Sequence, residues 1–341
     1  MDPGGAKIDI AFTKNPVPIN FGGNEFSIFE SMRILFLLIV ILGCLSSPMI
    51  QAQSSPLKST DRNQLNLKQD TLLELSRTLN TDSIQALRMK ADSQFTLVLV
   101  RALQTRHSFY YPFDSLAGIS KLYAPDSSFR IFSWSLSYDD YYHRQRGAIQ
   151  MRTTDGSMKI FPLRDVSEFV EKPLDSARDR MNWIGAVYYN MIRTQQAGKN
   201  YYTLFGFDPN GAMSSMKWIE VLHFNPKGEP VFGGPFFSYE NDSLPSPTRH
   251  RFQIEFKKNA RVLVNYIADL NLILIDHLVS ENNDPDNKWT YVPDGDQEGF
   301  EWKNGKWLHI DKVFNLKLKD GEAPHEVPIL NQRGNQKVSN Q

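Results

Sequence analysis

The chain lacks most of what would give its chemistry away. Of its 341 residues a single one, Cys44, is cysteine. That excludes a disulfide framework, thiolate zinc sites and iron–sulfur clusters. An excess of one charge is missing too. The 38 basic and 38 acidic side chains balance, leaving no electrostatic footprint for nucleic acid or anionic lipid. There is no Gly-x-Ser-x-Gly elbow, no His-Glu-x-x-His and no phosphate loop. These absences weigh against an enzyme without eliminating one, because glycosidases and phosphodiesterases carry no universal short signature. The longest apolar run, Ile34 to Leu42, falls short of the ~20 residues that a spanning helix needs.

That run is informative in another way. It follows Met32-Arg33 and leads through small residues to Ile50-Gln51-Ala52, the layout of a secretory signal with cleavage after Ala52. The alternative reading takes Cys44, preceded by Ile41-Leu42-Gly43, as a lipid-modified cysteine of an envelope lipoprotein. Residues 1–31 precede a good basic start and carry Pro3, Pro16 and Pro18, so translation is expected to begin at Met32. The first 52 residues hold three basic and four acidic groups, so 35 and 34 remain in the 289 residues that follow. A chain of that length makes one large domain or two modest ones. It is expected in the periplasm or cell envelope, without a transmembrane span.

Residues 53–68 are polar and unpatterned and read as a tether, and 321–341 as a disordered tail. Between them, 69–127 read as a helical lead. Within it Ile84, Leu87, Ala91, Phe95, Val98 and Ala102 recur at three- and four-residue spacing, behind a cap at Asp82 or Ser83. A second short helix is expected at 115–122, stopped by Pro125. After Ser128 the period changes to two. Strands are expected at 129–137, 147–154, 157–164, 183–194, 200–207, 216–225, 230–238, 250–257, 261–268, 271–279, 299–302 and 306–310. Turns such as Thr154-Asp155-Gly156, Asp208-Pro209-Asn210-Gly211 and Asn304-Gly305-Lys306 separate them, and such glycine-containing connections favour antiparallel hairpins. The expected fold class is therefore α+β and mostly β: an N-terminal helix, then a long antiparallel β-meander over 128–320. A meander that long must curve, close like a barrel, or split into a sandwich. Strands 201–205 and 272–275 are apolar on both faces, which places them mid-structure.

Six segments occur in order: Tyr201-Tyr-Thr-Leu-Phe-Gly-Phe-Asp208, Lys217-Trp-Ile-Glu-Val-Leu-His-Phe224, Val231-Phe-Gly-Gly-Pro-Phe-Phe237, Ile275-Asp-His-Leu-Val279, Tyr291-Val-Pro-Asp-Gly295 and Asn304-Gly-Lys-Trp307. As a series they resemble a group of uncharacterised secreted proteins of Bacteroidota, over roughly Leu72 to Phe314. The resemblance implies export and a β-rich body, and no activity.

Four groups of residues are candidates for chemistry. Asp276 and His277 are expected on apolar faces of their strand, as a general base or metal ligand or, alternatively, as a polar pair that fixes register. His223, His277 and His309 would bind zinc if their strands converged, and would otherwise be core histidines. Asp294, Asp296 and Glu298, with Gly299 at the sixth position, resemble the opening of a calcium loop, although position twelve is Gly305 and brings no carboxylate. Otherwise they form a solvated acidic turn. Finally, Asp139, Asp140, Tyr142, His143 and Arg144 combine carboxylates, aromatics and a guanidinium in a loop between strands. Sugar sites use those types, and so do exposed hairpin tips. The leading expectation is an exported, non-catalytic protein that binds an envelope or extracellular ligand or partner. A secreted hydrolase of extracellular polymers and a carrier of lipid or another apolar ligand are the alternatives.

Overall fold

The computed structural model describes residues 56–244 and 246–314. The expected upstream extension, leader, Cys44 and tail (321–341) lie outside them. Among the described residues two helices lead, α1 (Ser59–Thr81) and α2 (Gln85–Leu103). Fifteen strands follow, in three sheets. The first sheet is β1 (Ser120–Tyr123), β2 (Phe129–Ser137), β3 (His143–Met151) and β4 (Lys159–Arg164), in chain order. The second contains β5 (Arg178–Asp179), β6 (Val187–Gln196), β7 (Lys199–Asp208), β8 (Ser214–Phe224) and β9 (Pro230–Phe232), with β11 (Arg251–Lys257) added along β8. The third is β10 (Phe237–Ser238), β12 (Val264–Ile267), β13 (Leu272–Ser280), β14 (Tyr291–Lys303) and β15 (Lys306–Ile310). The runs β1 to β4, β6 to β9 and β12 to β15 are each antiparallel meanders, and β10 joins β15 in parallel. The sheet has split rather than closed into a barrel.

Side-chain alternation explains how the layers stack. Along β2, Phe132 and Trp134 pack among helical residues such as Phe95, Leu99 and Leu72. Phe129 and Ile131, on the other face, join Leu204, Tyr202 and Leu222 of the second sheet. Along β7 the pattern repeats. Tyr202 and Leu204 face the first sheet, while Phe205 packs with Phe237, Ile273, Phe300 and Trp307 of the third. Thr203, on the same side, accepts a hydrogen bond from the Trp307 indole at 3.0 Å. The second sheet is thus covered on both faces, as the two-sided apolarity of 201–205 predicts.

Three expectations need correction. Residues 59–68 are not a tether, because α1 begins at Ser59. Its buried leucines, Leu65, Leu72 and Leu79, recur every seven residues, and the first of them is too isolated to show a period. Residues 115–122 are not a helix. Gly118 has φ +73°, a conformation that interrupts a right-handed helix, and Ser120–Tyr123 pairs with β2 instead. Residues 294–298 are not a turn before a strand at 299. They continue β14, with Gln297 opposite Asp276 and Glu298 opposite Ile275.

Among the described residues, no helix is long and apolar enough to cross a membrane.

Candidate ligand site at one end of the β7–β8 ladder

β7 and β8 form an antiparallel ladder that ends at the pair Asp208–Met216. The connecting residues include Asn210 at φ 56°, a left-handed conformation that asparagine tolerates. Asp208, Met216 and Trp218 line a cavity of about 460 Å³. Gln253, the partner of Trp218 on β11, extends the same floor. The facing wall consists of Tyr141 and Tyr142 from the β2–β3 connection and His143 at the start of β3, with Ser167, Glu168 and Glu171 after β4. The volume lies within the range of small-molecule pockets.

The wall is set by its own sequence. The Asp139 carboxylate accepts the backbone N–H groups of Tyr141 and Tyr142, each at 2.8 Å. This is the local bonding by which aspartate shapes turns. The Tyr142 hydroxyl then donates to Glu168 at 3.0 Å, joining the two segments across the rim. Tyr141 is 77 % exposed at the mouth.

The floor is electrostatically unusual. Asp208 is almost fully buried, and burial pushes its carboxyl up to about 6, helped by the nearby Asp165 charge. Hydrogen bonds from the Asn210 N–H (2.8 Å) and the Gln145 amide (3.1 Å) oppose that rise, as does the Lys258 charge. Burial, followed by the charge of Lys258, lowers the pKa of His143 and keeps it neutral. Trp218 is 5 % exposed, and its indole N–H meets no acceptor among the described residues. The Gln145 Oε1 beside Asp208 is likewise unpaired. Buried polar groups are normally satisfied; of these two orphans Trp218 lines the cavity, while Gln145 lies behind Asp208 and does not.

No lysine or arginine lines this cavity among the described residues. Lys258 is committed to the Pro209 and Gly211 carbonyls, at 2.6 and 2.7 Å. Three carboxyl groups, an indole donor and exposed phenol rings remain. Such a lining repels anions and can bond hydroxyl or amine groups.

The structure uses part of the 139–144 candidate. Tyr142 and His143 line the cavity, and Asp139 shapes its wall. Asp140 is exposed, and Arg144 turns towards the Asp165 carbonyl at 3.4 Å. Neither lines the cavity. The other candidates do not come together. A β-bulge between Asp276 and Leu278 breaks the alternation, so His277 is exposed rather than on an apolar face. Its Nδ1 lies 2.8 Å from Asp294. Asp276 accepts the Leu263 N–H at 2.7 Å. Asp294, Asp296 and Glu298 each have a different nitrogen-bearing neighbour: His277, Lys312 at 2.7 Å and His309 at 3.4 Å. His309 is buried between Asp242 and Glu298, and His223 lies at another cavity. No three histidine, cysteine or acidic side chains among the described residues form a group that could hold a metal ion.

Asp208, Trp218, Gln253, Glu168 and Glu171 escaped the sequence reading. Asp208 belongs to a clear turn signal, Asp-Pro-Asn-Gly, which concealed its burial. Its partner Gln145 is 63 residues away, a contact that no local pattern carries. Trp218 alone left a trace, as an aromatic among the alternating residues of β8.

No protein-family model, curated protein or solved structure matches this chain.

Proposed function

We propose that this is an exported ligand-binding protein whose β7–β8 pocket takes a neutral, polyhydroxylated ring such as a glycan unit. The lining itself carries this reading: Trp218, whose buried indole N–H is unpaired among the described residues, stands with the Asp208 carboxyl in a cavity without cations among the described residues. Hydroxyl groups offer both the acceptor that Trp218 lacks and donors for the carboxylates. Exposed Tyr141 supplies a ring face at the mouth, where pyranose rings stack on aromatics. Export rests on the leader-like segment 32–52, and the six-segment resemblance agrees with it. Calorimetry of the purified chain with cellotriose, maltotriose and chitotriose, and a sulfated disaccharide as anionic control, tests the reading. At least one neutral trisaccharide is expected to bind and the sulfated sugar to fail. Binding of the sulfated sugar alone would overturn it.

One observation favours a hydrolase as the second reading. The Asp208 carboxyl, pushed up to about 6 by burial, lies nearer to neutral pH than an ordinary carboxyl, as suits a general acid, with Glu168 and Glu171 on the same cavity. Release of shorter sugars from a trisaccharide that the chain binds, lost in Asp208→Asn, would select it. Intact trisaccharide after prolonged incubation would leave binding alone.

A further inference from the structure

A second cavity lies at the other end of the same ladder and has the opposite character. It encloses about 690 Å³ where β7 begins and β8 ends. Tyr201, Phe236 and Val231 give it an apolar interior. The Tyr201 and Phe236 rings stand 5.3 Å apart, with His223 5.9 Å from Phe236. Lys199 stands at this cavity, and no acidic side chain lines it among the described residues. His223 and His250 both line it, and the Nδ1 atom of each is buried with no hydrogen-bond partner among the described residues. Burial first, then the charge of Lys199 for His223 and of Arg251 for His250, keeps both imidazoles neutral. For His250, Asp175 acts in the opposite direction. The backbone leaves the space open at Gly233 and Gly234, with φ of 80° and 152°. A side chain at Gly234 would run into the Phe236 ring.

We propose that this cavity is a second binding site, for a small amphiphile with an apolar body and a carboxylate head. The apolar body lies against Tyr201, Phe236 and Val231, and the carboxylate accepts from Lys199 and from the histidine ring N–H groups. Charge complementarity selects this occupant. The aromatic wall favours any apolar ligand, while a lysine with two unpaired imidazoles and no opposing carboxylate on the lining favours an anionic head. A neutral imidazole carries one N–H that can donate to a carboxylate, so binding needs no change of protonation. This site does not depend on the sugar reading of the first cavity.

Calorimetry on the whole chain, with decanoate and decyltrimethylammonium as probes, tests the proposal. Decanoate is expected to bind one to one, and the cation of the same chain length at least about tenfold more weakly. Lys199→Ala removes an exposed side chain and is expected to weaken decanoate binding about five- to tenfold, the scale of one charge-assisted hydrogen bond. His223→Phe preserves the aromatic wall and is expected to weaken decanoate while leaving decyltrimethylammonium unchanged. Tyr141→Ala, at the other cavity, should leave decanoate binding as it was. Equal binding of the two probes, no binding of decanoate, or decanoate binding indifferent to both Lys199→Ala and His223→Phe would overturn the assignment.

Discussion

The two ends of the β7–β8 ladder share one sheet and one ladder register, yet they differ in almost every chemical respect. Among the described residues, three carboxyl groups line the cavity at the Asp208 end without a cation, and a lysine and two neutral histidines line the cavity at the Lys199 end without an acid. Both ends hold buried polar atoms without partners, an indole N–H in one and imidazole nitrogens in the other. A single antiparallel ladder therefore carries acidic side chains at one mouth and basic ones at the other.

The segment between the two mouths offers the largest test. Arg251 on β11 lies between His250, at one cavity, and Gln253, at the other. Its fully buried guanidinium meets Glu220 at 3.2 Å and also holds the carbonyls of Ser176 (2.9 Å) and Phe232 (3.2 Å). Glu220 accepts the Tyr188 hydroxyl at 2.5 Å, and Tyr188 accepts from Trp183 at 2.7 Å. Arg251→Met would leave the Glu220 charge buried and uncompensated, an arrangement that costs about 3–5 kcal/mol. Urea denaturation should show that loss, with the binding of both ligand classes weakened together. Loss at one cavity only would break the idea of a shared floor.

Next is the opposite pH behaviour of the two ends. The folded carboxyl of Asp208, at about 6, lies above its ordinary 3.8. Between those values the native state holds a proton that the unfolded chain has released, so this residue makes stability rise as pH falls from 6 to 4. Two pH units correspond to at most about 3 kcal/mol. Asp208→Asn should remove that gain and raise stability at neutral pH, as denaturant titrations at several pH values would show. His223 and His250 act in the reverse sense. Their folded pKa values lie below 6.5, so their contribution is complete above 6.5 and is lost as pH falls through the folded values. His223→Gln should flatten that part of the profile. If the two variants changed the profile in the same direction, the contrast between the ends would be wrong.

The smallest effect concerns Tyr141. Because the side chain is 77 % exposed, Tyr141→Ala should leave the melting temperature unchanged while weakening a neutral trisaccharide by about 1 kcal/mol, the worth of one aromatic contact. Calorimetry and a thermal melt on the same sample separate the two.

The strands were legible because their faces are. In β2 and β7 the residues alternate between two apolar layers, and β2 spans 129–137, the run the period-two pattern predicts. Legibility fails where pairing overrides local pattern. Residues 294–298 are acidic and contain glycine, yet they fall within a thirteen-residue strand in which Gln297 and Glu298 pair with β13. His277 reads as buried until a bulge turns it out. The candidate site follows the same rule. Tyr142 and His143 could be found because polar and aromatic types crowd together in 138–146. Asp208 could not, because its raised pKa comes from burial beneath another sheet. The histidines show both sides: His223 was visible on an apolar strand face, but its lack of a partner is a property of the folded cavity.

The most direct test of two chemically opposed sites is a single spectrum. Trp218 lines the Asp208 cavity, and Trp302 stands 6.2 Å from Tyr201 at the other. With the indole N–H resonances of the six tryptophans assigned by Trp218→Phe and Trp302→Phe, nuclear magnetic resonance can follow both ends at once. The account predicts that a neutral trisaccharide shifts Trp218 alone and decanoate shifts Trp302 alone. Both ligands shifting the same indole, or neither resonance responding to either ligand, would contradict it.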